Sequence, residues 1–393
     1  MTEAGCEVAW FSALCDDDYE FLGVPEPALR SSWAHCRDLV LRAAKNGFDN
    51  VLLPSGYELG IDATAFAAGV APELAAVGMH ALLAVRCGEL WPPQLARQLA
   101  TIDQMLGGRL TVNIISSDLP GVSMDSGPRY RRTTEVIEIL RALLSGHPVE
   151  HRGEHYQLDV KVPAAQPVSK RCPPLYFGGL SEDARECAAG GVDVYLMWPD
   201  TMPTVKELIG DLRARAARHG RVLQFGYRVH VVVRETEPQA RAAAERLLSR
   251  LDAHVGEAIR QQSLDASSVG VRRQAELRDS AAANDGYVEE HLWTGIARAR
   301  SGCGAAIVGD PDQVLAKLRA YQQIGIESFI LSGYPHADEC DLFARHVLPQ
   351  LAHGPLFGPT APTDPDRLQL GRRRADPRQS HEWDRHEPDG RGL

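Results

Sequence analysis

Arg228 and His230 lie two residues apart within an apolar run from Phe225 to Glu235. Residues at i and i+2 of a strand point to the same face, so this spacing predicts a guanidinium and an imidazole projecting together. Such a pair suits binding of an oxyanion and handling of a proton. A second chemical feature is the turn Gly178-Gly179-Leu180-Ser181, which follows a short apolar run and precedes a helical pattern over 182–189. Glycines let backbone N–H groups approach a phosphate, and a helix start favours an anion, with Ser181 as cap and donor. An ordinary glycine-containing turn with a serine cap fits the same residues. Two further candidates flank later segments: Arg300, near the Gly-x-Gly of Gly302-Cys303-Gly304, and Tyr334, just after an apolar run.

The elements that must position these groups alternate along the chain. Apolar runs predict strands over 8–13, 50–53, 81–85, 110–115, 175–178, 192–197, 224–233 and 328–332. Helical spacing predicts helices between them, over 33–46, 93–106, 130–144, 204–219 and 311–324. Eight strands alternating with helices predict an α/β fold, a (β/α)8 TIM barrel with insertions. An open doubly wound sheet would alternate in the same way, although no G-x-G-x-x-G follows the first strand. Residues 1–354 are expected to form the barrel, with insertion loops at 116–127 and 254–301. The longer one is placed to act as a lid on the C-terminal rim. In residues 355–393, Pro, Arg and Asp dominate, which predicts a disordered C-terminal tail.

Composition narrows the function classes. The chain has 393 residues, 44% of them hydrophobic, and a net charge of −10. That charge argues against a nucleic-acid binder. The eight cysteines are scattered without a C-x-x-C pair, so reduced thiols and no metal site are expected. The acidic N-terminus does not read as a signal peptide, and no run reaches the length of a membrane span. A cytoplasmic enzyme is the resulting expectation.

Several longer segments together carry a family resemblance. They are Trp10-Phe11, residues 96–103 (ARQLATID), Pro174 to Gly179, Val192 to Trp198, Phe225 to Glu235, and Leu331 to His336. In these segments, in this order, the chain from about Trp10 to about Leu351 resembles the bacterial-luciferase-like flavin monooxygenases. Within them it is most similar to the reduced-FMN-dependent alkanesulfonate monooxygenases. The resemblance implies a luciferase-like barrel, reduced FMN as cofactor, O2 as co-substrate, a separate NAD(P)H-dependent flavin reductase, and a homo-oligomer, dimer or tetramer. It implies that Gly178, Gly179, Ser181 and Tyr130 hold the FMN phosphate and that Asn113 borders the flavin ring. It further implies that Arg228 and Arg300 clamp an anionic head group, the latter on a mobile loop, while His230 and Tyr334 manage protons and hydrogen bonds. Trp198 would wall the substrate pocket, and His336 would be structural.

This chain departs from the family pattern at three places. Asp125-Ser126 stands where a histidine often follows the aspartate. Cys15, in Cys15-Asp16-Asp17-Asp18, stands where the first strand's loop presents a histidine, and Leu59-Gly60 stands where a cysteine can occur. Cys15 and Leu59 are therefore expected to line the substrate pocket, and three neighbouring aspartates would disfavour an anion if they faced inward. The reaction implied is oxygenolytic desulfonation of an organosulfonate to aldehyde and sulfite. Oxygenation of a sulfone or a natural-product intermediate, a deazaflavin-dependent oxidoreductase, and a non-catalytic flavin carrier are the rival readings.

Overall fold

The structure, a computed structural model, describes residues 5–261 and 268–358. In chain order the elements are β1 (Glu7–Phe11), α1 (Trp33–Lys45), β2 (Asn50–Leu53), α2 (Ala63–Ala76), β3 (His80–Arg86), α3 (Pro92–Met105), β4 (Leu110–Ile115) and α4 (Ser126–Leu144). Next come β5 (Val149–Arg152), β6 (Gln157–Val160), β7 (Leu175–Phe177), α5 (Glu182–Gly191), β8 (Val194–Met197), α6 (Met202–Arg218), β9 (Gln224–Val233) and α7 (Glu237–Leu248). The chain continues through α8 (Ala253–Gln261), α9 (Val269–Ser280), β10 (Tyr287–Glu289), β11 (Leu292–Trp293), β12 (Ala306–Gly309), α10 (Pro311–Ile324), β13 (Ser328–Ser332) and α11 (His336–His346).

Strands β1, β2, β3, β4, β7, β8, β9 and β13 pair in parallel and close on themselves, because β9 bonds β13 along one edge and β8 along the other. This is the predicted (β/α)8 barrel, built from the eight predicted strands. β9 is long enough to take a third partner: its upper half, His230–Val233, pairs with β12, which carries β11 and β10 as an antiparallel extension. Residues 306–309 and 287–293 were not anticipated as strands; their apolar runs are four residues or shorter and sit inside polar sequence. The helix expected from Tyr130 begins four residues earlier, at Ser126. Pro128 reads as a loop signal, yet the first helical turn tolerates proline because its N–H groups have no intrahelical acceptor.

Alternation along each strand sets two interior layers. Inward residues Ala9, Phe11, Leu52, Leu82, Tyr176, Val194 and Ile330 form an apolar cluster inside the barrel. Below it lies a polar layer around the Glu7 carboxylate, which accepts from Tyr176 Oη at 3.1 Å, Ser328 Oγ at 2.9 Å, Asn50 Nδ2 at 3.3 Å and the Leu356 N–H at 3.1 Å. Burial pushes the Glu7 carboxyl above its usual range, opposed by these donors. Leu356 and Phe357, assigned from sequence to the tail, pack against the interior cluster, with Phe357 edge-on to Tyr176 at 6.3 Å. The remainder of the expected tail, 359–393, lies outside the described residues.

The described parts of the insertion, 254–261 and 268–301, form a roof on the carboxyl end of the barrel. Its helix α9 is tied to the loop after β8: Arg273 donates to both oxygens of Asp200, at 2.7 and 2.9 Å, and Gln274 donates to the Pro199 carbonyl at 2.8 Å. Paired guanidinium–carboxylate bonds fix direction as well as distance. The loop at 116–125 is organised by Asp118, which accepts from the Met124 N–H at 3.1 Å and pairs with Arg129 at 3.4 Å. Among the described residues no helix is long and apolar enough to cross a membrane, and no cluster of three or more His, Cys, Asp or Glu side chains is placed to hold a metal ion.

One consequence concerns acid stability. His80, at the foot of β3, is buried, and burial followed by the nearby Arg109 charge holds it down at about 4. The unfolded chain protonates this imidazole near its usual value of about 6.5 while the fold refuses the proton. Its contribution is therefore full above pH ~6.5 and is lost as pH falls towards 4. Replacing His80 by Asn should flatten the fall of unfolding free energy across that window by about 1.4 kcal/mol per pH unit, read from urea unfolding at several pH values.

Candidate active site

Strand alternation turns Gly226, Arg228 and His230 of β9 into the barrel, in register with Ser328, Ile330 and Ser332 of β13. Arg228 is 3% exposed and His230 is fully buried. Ser332 joins them: its hydroxyl accepts from Arg228 Nη2 at 2.7 Å and lies 2.7 Å from His230 Nδ1. Arg228 can only donate, so the serine oxygen accepts from it, while the direction of the Ser332–Nδ1 bond follows the imidazole tautomer and sets whether the second ring nitrogen, Nε2, carries the proton. That Nε2 atom is buried without a partner. Burial, then the charges of Arg228 and Arg300, hold His230 well below its usual value, so the ring is neutral. A neutral ring offers one N–H donor and one acceptor nitrogen beside the two guanidiniums.

Arg300 reaches the same place from the end of the roof. Its Nη1 donates to Tyr334 Oη at 3.0 Å and pairs with Asp17. Burial opposes its charge, but Tyr334 and Asp17 hold its value well above normal. Both guanidiniums lie over the Phe11 ring, at 4.3 Å for Arg228 and 5.3 Å for Arg300. Tyr334 stacks on His230 with ring centroids 5.1 Å apart. The four residues singled out from sequence as Arg228, His230, Arg300 and Tyr334 thus form one buried group. Arg300 Nε, Asp17 Oδ1 and His336 Nε2 are also buried without partners.

Of the three aspartates after Cys15, all have partners, and Asp17 alone pairs with a clamp arginine. Asp17 pairs with Arg300, and Asp18 accepts from the His336 N–H at 2.9 Å and contacts His35 Nε2 at 2.9 Å. Asp16 instead accepts from the Ser31 N–H at 2.6 Å. Cys15 lies where the sequence placed it, beside these groups; burial pushes its thiol up to about 12, so it stays protonated. Leu59 does not reach the site and is 43% exposed. The reason is its loop: Gly56 and Gly60 make the inward approach, and a Cβ on Gly60 would lie 1.7 Å from the Leu14 carbonyl oxygen. With glycine inside, the residue between points out.

A cavity of about 830 Å³ is lined by Asn113, Tyr130, Gly178, Gly179, Ser181 and Trp198, among others. Its size falls within the usual range for a cofactor site. The glycine turn is required by contact: a Cβ on Gly178 would sit 2.0 Å from the Leu196 carbonyl oxygen, and one on Gly179 would sit 2.7 Å from Ala184 Cβ and 3.2 Å from Tyr130 Oη. Tyr195 Oη donates to the Gly179 carbonyl at 2.6 Å and fixes the turn. Ser181 caps α5, accepting from the Ala184 N–H at 3.3 Å. Arg185 and Arg272, which sequence reasoning passed over, line the same cavity with Arg129, the residue before Tyr130 in the Arg-Tyr pair of the resemblance, and Arg129 Nε is buried without a partner. A helix start, a backbone cradle and three guanidiniums fit a phosphate, and Asn113 offers an amide one cavity wall away. These residues fit FMN. Trp198 packs against both ends of the roof, with Gly270 and Gly302 each leaving its ring only 3.0 Å from where a Cβ would be.

Comparison with known proteins agrees with this geometry. The profile of the luciferase-like monooxygenase family matches residues 21–328. A sulfoquinovose monooxygenase of Novosphingobium aromaticivorans is 65% identical over 363 residues, covering 91% of this chain and 99% of the relative. A second sulfoquinovose monooxygenase, from Agrobacterium fabrum, is 52% identical over 88% of this chain and 89% of its own length. Among solved structures, the EDTA monooxygenase from Chelativorans sp. BNC1 superposes with a TM-score of 0.68 at 16% identity, over 88% of this chain and 93% of that one, a likeness of fold. With a matched profile across most of the barrel and relatives this similar over nearly their whole length, the chain belongs to the luciferase-like monooxygenase family and is a flavin-dependent monooxygenase.

Proposed function

We propose that this protein is a two-component, reduced-FMN-dependent monooxygenase that cleaves the carbon–sulfur bond of a sugar sulfonate of the sulfoquinovose type. The observation that carries this reading is the pair of guanidiniums on Phe11, Arg228 buried and Arg300 mostly so, with Asp17 as the one carboxylate paired to them among the described residues. Two enclosed cations with unpartnered donors nearby call for an anion, and a sulfonate offers three acceptor oxygens to two planar forks. The names of the two relatives supply the substrate class. Reduced FMN, supplied by a separate reductase, provides two electrons and activates O2 when bound.

The residues then divide the work. Arg228 and Arg300 hold the sulfonate, which displaces Asp17 from Arg300. His230 donates from Nε2–H, and Tyr334 donates from its hydroxyl towards acceptor oxygens at the reacting centre. The roof, Trp198 and Cys303 exclude water. Cys303 closes the site from below by donating from Sγ to the Arg228 carbonyl at 3.4 Å. The balance is closed: one oxygen atom enters the carbon that bore sulfur and the other leaves as water. The carbon–sulfur electron pair departs with sulfite, the carbon gives up a proton, and an aldehyde remains. Asn113 borders the flavin ring, and Tyr130, Gly178, Gly179 and Ser181 hold the phosphate.

Incubation with reduced FMN, O2 and sulfoquinovose should release sulfite in proportion to substrate. Oxygenation of a sulfone without sulfite from any sulfonate, or binding of a deazaflavin in preference to FMN, would replace this reading by one of its rivals. Arg228→Met and Arg300→Met should each lower kcat/KM for sulfite release by about 100-fold or more, as expected for losing a charge-assisted contact, with FMN affinity unchanged. His230→Gln, which keeps a side-chain N–H, should retain about 10-fold more kcat than His230→Phe.

A further inference from the structure

A third arginine stands at the carboxyl end of a barrel strand and has no part in the mechanism above. β3 alternates with Leu82 inside the barrel cluster, so Ala84 and Arg86 are turned inward as well. Arg86 is the last residue of the strand, at the carboxyl end where barrel enzymes assemble their sites. It is 6% exposed. Its Nη2 donates to the Ser55 carbonyl at 3.3 Å, and its Nε lies 3.3 Å from Glu89 Oε1 without hydrogen-bond geometry. Its Nη1 and Nε are buried with no hydrogen-bond partner. A guanidinium carries five N–H donors, and leaving several of them dry is costly unless something else accepts them.

Two observations place that guanidinium beside the substrate rather than against the scaffold. Arg86 donates to the Ser55 carbonyl, and the next residue, Gly56, packs on Cys15, since a Cβ there would lie 3.1 Å from Cys15 Sγ; Cys15 is two residues before Asp17, the partner of Arg300. Register fixes the height: Phe11 pairs with Leu52, Leu52 with Leu82, and Ala84 with Asn113. Arg86 therefore stands two inward positions above the Phe11 level, where the sulfonate clamps lie, and one above the level of Asn113. An extended substrate anchored by its sulfonate between Arg228 and Arg300 would bring its other end to Arg86.

We propose that Arg86 is a specificity-determining residue that donates hydrogen bonds to hydroxyl oxygens at the end of the substrate remote from the sulfonate. This inference rests on the sugar-sulfonate reading. A hydroxyl oxygen accepts from Nη1 without adding a charge. Meeting a polyol with a buried arginine in this way rejects a substrate lacking that hydroxyl, because the buried donors would then stay unmet.

The test compares wild type with Arg86→Met and Arg86→Lys, using sulfoquinovose and its monodeoxy analogues, with sulfite release as readout. FMN affinity and melting temperature serve as controls of folding. In wild type, removing the hydroxyl that meets Arg86 should lower kcat/KM about 10-fold or more, whereas in Arg86→Met the same deletion should change it less than about 2-fold. Arg86→Lys should fall between, since it keeps charge but loses the fork. Equal losses on every analogue in wild type and variant would show a structural arginine and overturn the proposal. Failure of wild type to release sulfite from any sugar sulfonate would overturn the substrate reading instead. Should Arg86→Met melt far below wild type, the Arg86→Lys series decides by the same comparison.

Discussion

Two guanidiniums share one phenyl ring inside a closed barrel, and the rest of the site is arranged around that fact. Arg228 and Arg300 repel each other, and both have left water, which is expensive even in a protein interior of moderate effective dielectric. What offsets the cost is specific: the face of Phe11, the hydroxyl of Ser332, the hydroxyl of Tyr334, and the Asp17 carboxylate. The face of an aromatic ring attracts cations, and each hydroxyl accepts a charged donor. One carboxylate against two cations leaves a net positive centre. An anionic head group completes it, and the aspartate is a stand-in that the incoming anion replaces.

The barrel makes this arrangement possible by separating chemistry by height. Polar interior residues occur at the foot, around Glu7, and at the mouth, while an apolar layer lies between them. That layer keeps the Glu7 network, which holds the Leu356 N–H, from communicating with the cations above. β9 is the central member: it supplies Arg228 and His230, and its upper half turns to β12 and the roof. One strand thus carries the site residues and also anchors the cover. The Arg273–Asp200 pair sets where that cover rests.

Much of this was legible in the sequence, and the parts that were not have physical reasons. Eight apolar runs located all eight barrel strands, because strands buried on both faces read as continuous hydrophobic segments. The i, i+2 spacing of Arg228 and His230 predicted a shared face, and the same rule would have found Ser332 two residues after Ile330. Arg86 ends a strand that the apolar run alone closed at 85, so a charged last residue was trimmed away. Asp17 was seen but its partner was not: which of three consecutive aspartates meets a residue 283 positions later is decided by tertiary packing. Leu59 was expected inside because its loop borders the mouth, but adjacent glycines take the close approach and turn it out. His230 was anticipated as a group handling protons; its burial between two guanidiniums, which keeps the ring neutral, is set by tertiary packing and could not be read from the strand.

The central claim is that Arg228 and Arg300 form a receptor for a sulfonate. A crystal structure of the protein with FMN and a sugar sulfonate tests it most directly. The account predicts sulfonate oxygens within hydrogen-bond distance of both guanidiniums, with Asp17 withdrawn from Arg300. A sulfonate bound elsewhere, with the Asp17–Arg300 pair intact beside it, would contradict it.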